Sequence, residues 1–197
     1  MKTSIKTFAI ALSVIVLSGT VSSSFAADPK KAKAAKVRTV SAPSGVKKVV
    51  ASGNVELILV QDGAESVQML NDYPTASVTQ RGDVLRISAD GRETQKVRVS
   101  VKDLYRIEAS GDVKVSTGSA LDLKYLQIIL KDNAEAVIGA KVEGLYTLLQ
   151  DQSNLTLSGS ADEHSLQMGK VSSLTMDNFT SRQSSVNPQG AEQIASR

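Results

Sequence analysis

The chain contains no cysteine, which removes thiolate catalysis, thiolate metal sites and disulfide bracing together. It also means that no lipid-modified cysteine follows an export signal. There is no tryptophan, and aromatic residues are few, with three Phe and four Tyr among 197 residues. An interior with so few rings must be filled by aliphatic side chains, and the abundance of Val favours strands. A single histidine, His164 in "GSADEHSL", leaves little for acid–base or metal chemistry. It stands beside Asp162 and Glu163, but at a place where a connecting loop is expected. His164 therefore reads as an exposed loop residue. No apolar run reaches the roughly 20 residues of a membrane span.

What is present at the N-terminus is an address. Lys2 and Lys6 precede an apolar stretch over residues 8–17, broken only by Ser13, and Ser24-Phe25-Ala26 supplies small residues for cleavage. Residues 1–26 are thus predicted to be a secretory signal peptide cut after Ala26. Residues 27–45 read as a basic flexible linker, rich in Lys, Ala, Ser and Pro, that acts as a solvated spacer. Charge is divided accordingly: residues 28–48 carry seven basic groups against Asp28, while residues 49–197 carry 14 basic and 19 acidic groups. The acidic body and the export signal both argue against a nucleic-acid partner. Residues 46–183 form the expected folded domain, and residues 184–197 are expected to be a disordered tail.

Within the body, short alternating runs such as "VELILV", "VLRIS", "KVRVSV" and "LQIIL" alternate with Gly, Asn, Asp and Ser. No amphipathic helix is evident. "ASGNVEL" at 51–57 returns as "ASGDVKV" at 109–115, so Gly53 and Gly111 are expected to hold structural turns. A step of 21 carries Ile107 to Ile128 and then Leu149, and a step of 19 reaches Met168. The same steps carry Val113 to Ala134, Leu155 and Leu174. Files of aliphatics separated by the polar corner Asp112, Asn133, Asn154, Ser173 predict an all-β fold with a parallel β-helix-like solenoid. The outward columns read Arg106, Gln127, Leu148, Gln167 and Glu108, Ile129, Gln150, Gly169.

The phrases "VVASGNVELILVQDGAESVQML", "VLRIS", "VSVKDLYRIEASGDVKVS" and "LTLSGSADEHSLQM" together resemble the auto-transporter adhesin head domain, or head GIN domain. The resemblance covers roughly residues 46–179. It implies a right-handed solenoid with a less regular N-terminal β region, exported to a Gram-negative envelope. It supplies no catalytic residues.

No catalytic residue, cofactor or metal ligand is expected. Asp112 shares its column with Asn133 and Asn154 rather than further acids, and Asp132 with Gly111, Ser153 and Ser172. That pattern offers neither a paired-carboxylate glycosidase site nor repeated calcium ligands. Arg81-Gly82-Asp83 reads as a hairpin turn between "ASVTQ" and "VLRIS". The expected role is a non-enzymatic binding or adhesion module, periplasmic or at the cell surface, whose partner is an envelope glycan or protein. Its candidate surface comprises Asp112, Asn133, Asn154, Gln127, Gln150 and Gln167. The competing expectations are a carbohydrate-active enzyme on the same scaffold and a structural spacer or assembly module.

Overall fold

The structure is a computed structural model that describes residues 38–40 and 43–188. The expected signal peptide, most of the linker and residues 189–197 lie outside the described residues. Among the described residues there are thirteen strands and no helix. They belong to one sheet that curls into an open half-barrel.

Alternation explains the first strands. β2 (Lys48–Gly53) and β3 (Val55–Gln61) are separated only by Asn54. In β3, Val55, Leu57 and Leu59 are buried while Glu56, Ile58 and Val60 lie half-buried on the other side, the period-two pattern of a strand with one core face. β6 (Val84–Ala89) and β8 (Arg106–Ser110) flank β2 in parallel, and β7 (Gln95–Val101) and β9 (Lys114–Thr117) flank β3 in parallel. The strand pairs stack as rungs in the order β6/β7, β2/β3, β8/β9, so the second pair in the chain lies outside the first. At the bends, Gly53 and Gly111 both have φ of 80°. A Cβ on Gly53 would stand 2.1 Å from the Ala89 carbonyl oxygen, so both conformation and contact demand glycine there.

Antiparallel strands extend this N-terminal part. β4 (Ser66–Met69) pairs with β7, and β1 (Arg38–Val40) pairs with β4. β5 (Ser77–Arg81) forms a hairpin with β6 in which Arg81 lies opposite Val84. The two-residue turn is Gly82-Asp83, with Gly82 at φ 59°, so Arg81, Gly82 and Asp83 are accounted for by hairpin geometry. Buried Gln95 holds the connection between β4 and β5 by accepting a 2.8 Å hydrogen bond from the Thr75 N–H.

The remaining rungs are β10 (Leu121–Leu130), β11 (Glu135–Leu149), β12 (Asn154–Met168) and β13 (Ser173–Pro188), all stacked in parallel. Their register corrects one sequence expectation. Arg106 lies opposite Gln127, 21 residues on, as expected, but Gln127 lies opposite Tyr146, only 19 residues on. The shorter step therefore enters one rung earlier. Ile128 meets Thr147 and then Leu166, while Leu149 aligns with Leu130 and Met168. Ala136, rather than Ala134, meets Leu155. A slip of two residues leaves every side chain on its original face, so hydrophobic alternation alone does not distinguish the registers.

Leu57, Leu59, Ile107, Ile128, Leu130, Ile138 and Leu149 are among the largest fully buried side chains, and no aromatic residue is among them. Burying each such side chain is worth about 1.5–3 kcal/mol. β13 continues to Pro188, five residues past the expected domain boundary at 183. Among the described residues it pairs only with β12.

Candidate functional site

Two outward surfaces carry most of the polar side chains named from the sequence. On one, Lys96, Glu56, Lys114, Glu135, Asn154 and Ser173 follow one another across paired strands. Charges alternate along it, with Lys96–Glu56 at 2.8 Å and Lys114–Glu135 at 3.2 Å. Such exposed pairs contribute little stability, about 0–1 kcal/mol each. Asn154 thus belongs to this ladder and not to a corner row with Asn133, because the step into β12 is 19 residues. Asp112 and Asn133 do meet, through a 3.1 Å hydrogen bond donated by Asn133 Nδ2.

The corner itself is built by other residues. Asp132 and Asp151 take positive φ values of 58° and 56°. Asp132 Oδ2 accepts a 2.9 Å hydrogen bond from the Gly111 N–H, and Asp151 Oδ2 accepts one of 3.3 Å from the Asp132 N–H. Asp132 therefore stacks between Gly111 and Asp151, not with Ser153. These two carboxylates satisfy backbone donors at successive bends, a structural task suited to Asp in this region of φ/ψ space.

The second surface is the outward face of β8, β10, β11 and β12. One column runs Lys48, Arg106, Gln127, Tyr146, Ser165, and its neighbour runs Val50, Glu108, Ile129, Leu148, Gln167. Gln127 and Gln167 thus share a face, while Gln150 lies in the turn after β11. Gln127 Oε1 accepts a 2.7 Å hydrogen bond from Arg106 Nε, and Gln167 Oε1 accepts one of 3.1 Å from the Tyr146 hydroxyl. Glu108 Oε1 is paired with Lys48 at 2.8 Å and Arg106 at 3.2 Å. Burial pulls the Glu108 carboxyl upward, but the hydrogen bonds and charges of Lys48 and Arg106 outweigh it and hold it below the ordinary carboxylate value.

Tyrosines missed as a group from the sequence complete this face. The Tyr125 ring rests on Gly144, where a Cβ would lie 2.9 Å from Cδ1 and 3.3 Å from Cε1. Tyr125 is nevertheless 58% exposed. Lys124 Nζ stands 5.5 Å from its ring centroid, and the Arg106 guanidinium lies 5.7 Å from that of Tyr105. Between Tyr125 and Tyr146 lies a trough of about 270 Å³, lined also by Gln127, Gly144, Glu163 and Ser165. A second trough of about 200 Å³ adjoins it, with Val50, Ile129 and Leu148 in its lining. Using the 19-residue step would have revealed the Tyr125–Gly144 and Gln127–Tyr146 pairs in the sequence.

The largest concavity, of about 520 Å³, lies elsewhere and includes Asp103, Asp122, Glu143 and Asp162 among its lining residues. Its acids alternate with cations: Lys47 pairs with Asp103, Lys124 with Glu143 at 3.9 Å, and Arg182 with Asp162 at 3.2 Å. Asp122 lies directly opposite Lys141. All four carboxylates are exposed, unlike a general acid held in an apolar site. No group of three metal-ligating His, Asp or Glu side chains occurs among the described residues.

His164 departs from the expected exposed loop. It sits inside β12, 3% exposed, with Nε2 3.1 Å from Thr147 Oγ1 and its ring edge-on to Phe179 at 5.5 Å. In-register pairing aligns it with Leu145 and Ser184. Burial lowers its pKa from the ordinary imidazole value. The residues flanking it, Asp162 and Glu163, are exposed, and Glu163 lines with His164, Gln183 and Ser184 a shallow cavity of about 260 Å³.

Residues 46–195 match the family described as "Putative auto-transporter adhesin, head GIN domain". The chain belongs to this family. Among solved structures, the head GIN chain is similar to a "putative adhesin" from Bacteroides fragilis, with TM-score 0.66 and 16% identity over 78% of this chain and 75% of that one. It is also similar to a "putative lipid binding protein" from Parabacteroides distasonis, with TM-score 0.57 and 13% identity over 78% of each chain. A "putative adhesin" from Parabacteroides merdae aligns with TM-score 0.55 and 13% identity, over 77% of this chain and 76% of that one. At these identities the likeness is one of fold. No curated protein matches the head GIN chain at a comparable level.

Proposed function

We propose that this head GIN domain is an exported cell-envelope binding module that catalyses no reaction. It holds an extended glycan or protein partner on the outward face of β8, β10, β11 and β12, either in the periplasm or at the cell surface. The observation that carries this reading is the clustering of Tyr125 and Tyr146 with Gln127 and Gln167 on one solvent-facing surface. A tyrosine left outside an aliphatic core offers a large, rigid contact area with a polar tip. We also read the stacked rungs as a right-handed parallel β-solenoid, supported by their continuous parallel register. Contacts on such a face repeat at the strand spacing of about 4.8 Å, which suits an extended ligand.

The adhesin description of the family and of two structural relatives supports a binding role. A carbohydrate-active enzyme would require carboxylates free to exchange protons with a substrate, whereas those of the largest concavity are exposed and interleaved with lysines. A test applies the folded exported chain to a glycan array and to a pull-down of envelope components. Specific retention of either class, reduced by altering Tyr125 and Tyr146, is expected. Blank results in both assays would contradict the proposal.

A further inference from the structure

We infer that the partner is an uncharged glycan, seated in the trough between Tyr125 and Tyr146. This deepens the binding reading above and rests on it. Three features of the trough carry the inference. First, the Tyr125 ring lies against Gly144 yet remains more than half exposed. The glycine removes the side chain that would otherwise lift the ring off the sheet. The result is an exposed ring close to the sheet surface, suited to the C–H face of a pyranose.

Second, the side chains around the ring suit hydroxyl groups. Gln127 contributes an amide, Ser165 a hydroxyl and Glu163 a carboxylate to the lining. Arg106 occupies Gln127 Oε1 but leaves the amide donor, Nε2, free of protein partners among the described residues. A sugar hydroxyl both donates and accepts, so it can bridge an amide N–H and a carboxylate. The trough, at about 270 Å³, is just below the roughly 300–1,000 Å³ of small-ligand sites, a size for one or two sugar units.

Third, the charge is wrong for an anion. No cation lines this trough: Lys48 and Arg106 hold Glu108, Lys124 faces Glu143 and the Tyr125 ring, and Lys131 lines the second trough instead. Glu163 is the charged group in the trough lining, and it is exposed. A uronate or phosphate placed there would face a carboxylate with no cation in the same lining to offset it. The adjoining trough containing Val50, Ile129 and Leu148 would take the apolar face of a following unit.

The experiment measures binding of malto- and cello-oligosaccharides, oligogalacturonate and immobilised envelope proteins to the full folded chain and to Tyr125→Ala, Tyr125→Phe and Glu163→Gln. Thermal melting of each variant reports that the fold is kept. The inference expects a neutral oligosaccharide to bind, with affinity lost by about fivefold or more in Tyr125→Ala and retained in Tyr125→Phe, since an aromatic contact is worth roughly that much. Glu163→Gln is expected to weaken neutral binding and to admit oligogalacturonate; continued exclusion of oligogalacturonate by the folded variant overturns the charge argument. Neutral binding that is unchanged in a folded Tyr125→Ala variant overturns the inference, as does preferential binding of oligogalacturonate to the unaltered chain. Envelope-protein binding lost in Tyr125→Ala, without glycan binding, overturns the glycan assignment but leaves the binding face intact. Absence of all binding overturns both.

Discussion

At His164 a polar ring occupies a core file between Leu145 and Ser184, with Thr147 as its hydrogen-bond partner. The neutral ring is favoured in the folded chain because burial penalises its charge. Its folded pKa is therefore below the unfolded value of about 6.5. Stability from this group is complete above that value and is lost as pH falls toward the folded pKa, because the unfolded state binds the proton first. Melting temperature is expected to fall between pH 7.5 and 5.5, and His164→Leu is expected to reduce that difference even if it lowers stability at both pH values. Ser153 provides a second residue-scale measurement. It is fully buried, and its Oγ has no hydrogen-bond partner. An unmatched buried hydroxyl costs about 1–3 kcal/mol. Ser153→Ala, which removes the hydroxyl and leaves a methyl group, is expected to stabilise the chain by about 1 kcal/mol in denaturant unfolding.

The strand register belongs to the scale of elements. Since the chain has no native cysteine, an introduced pair reports register without competition. Glu135 and Asn154 are direct Cα partners in the β11–β12 ladder. The step inferred from sequence would instead bring Asn133 opposite Asn154. A Cys pair at 135 and 154 is expected to oxidise readily, whereas one at 133 and 154 is expected to remain reduced, because disulfide geometry requires Cα atoms about 4.4–6.8 Å apart. Mass change on oxidation distinguishes the two. Alternation in "VELILV" and "LQIIL", the repeated "ASG" bends and the first 21-residue step were all legible in the sequence. The shift to 19 was concealed because a two-residue slip preserves which side chains face inward. That concealment had consequences: it placed Asn154 on the wrong ladder, separated Asp132 from Asp151 and hid Tyr125 above Gly144. Gln127 and Gln167 still fell on one face because both remained outward. His164 was misplaced for a related reason, since a polar cluster at "ADEHS" resembles a loop until the continuous β12 ladder carries the histidine inward.

Across the whole molecule, the two outward surfaces differ in chemistry. The β7–β3–β9–β11 side neutralises itself through alternating Lys and Glu, while the β8–β12 side combines two tyrosines, two glutamines and two shallow troughs. Binding is proposed on the second of these. Its most direct test is backbone amide shift mapping on isotope-labelled protein titrated with soluble fragments of the cell envelope. The account predicts that shifts concentrate at residues 125–129, 144–148 and 163–167. Shifts concentrated instead along Lys96, Glu56, Lys114 and Glu135, or no shifts at saturating fragment, would contradict it.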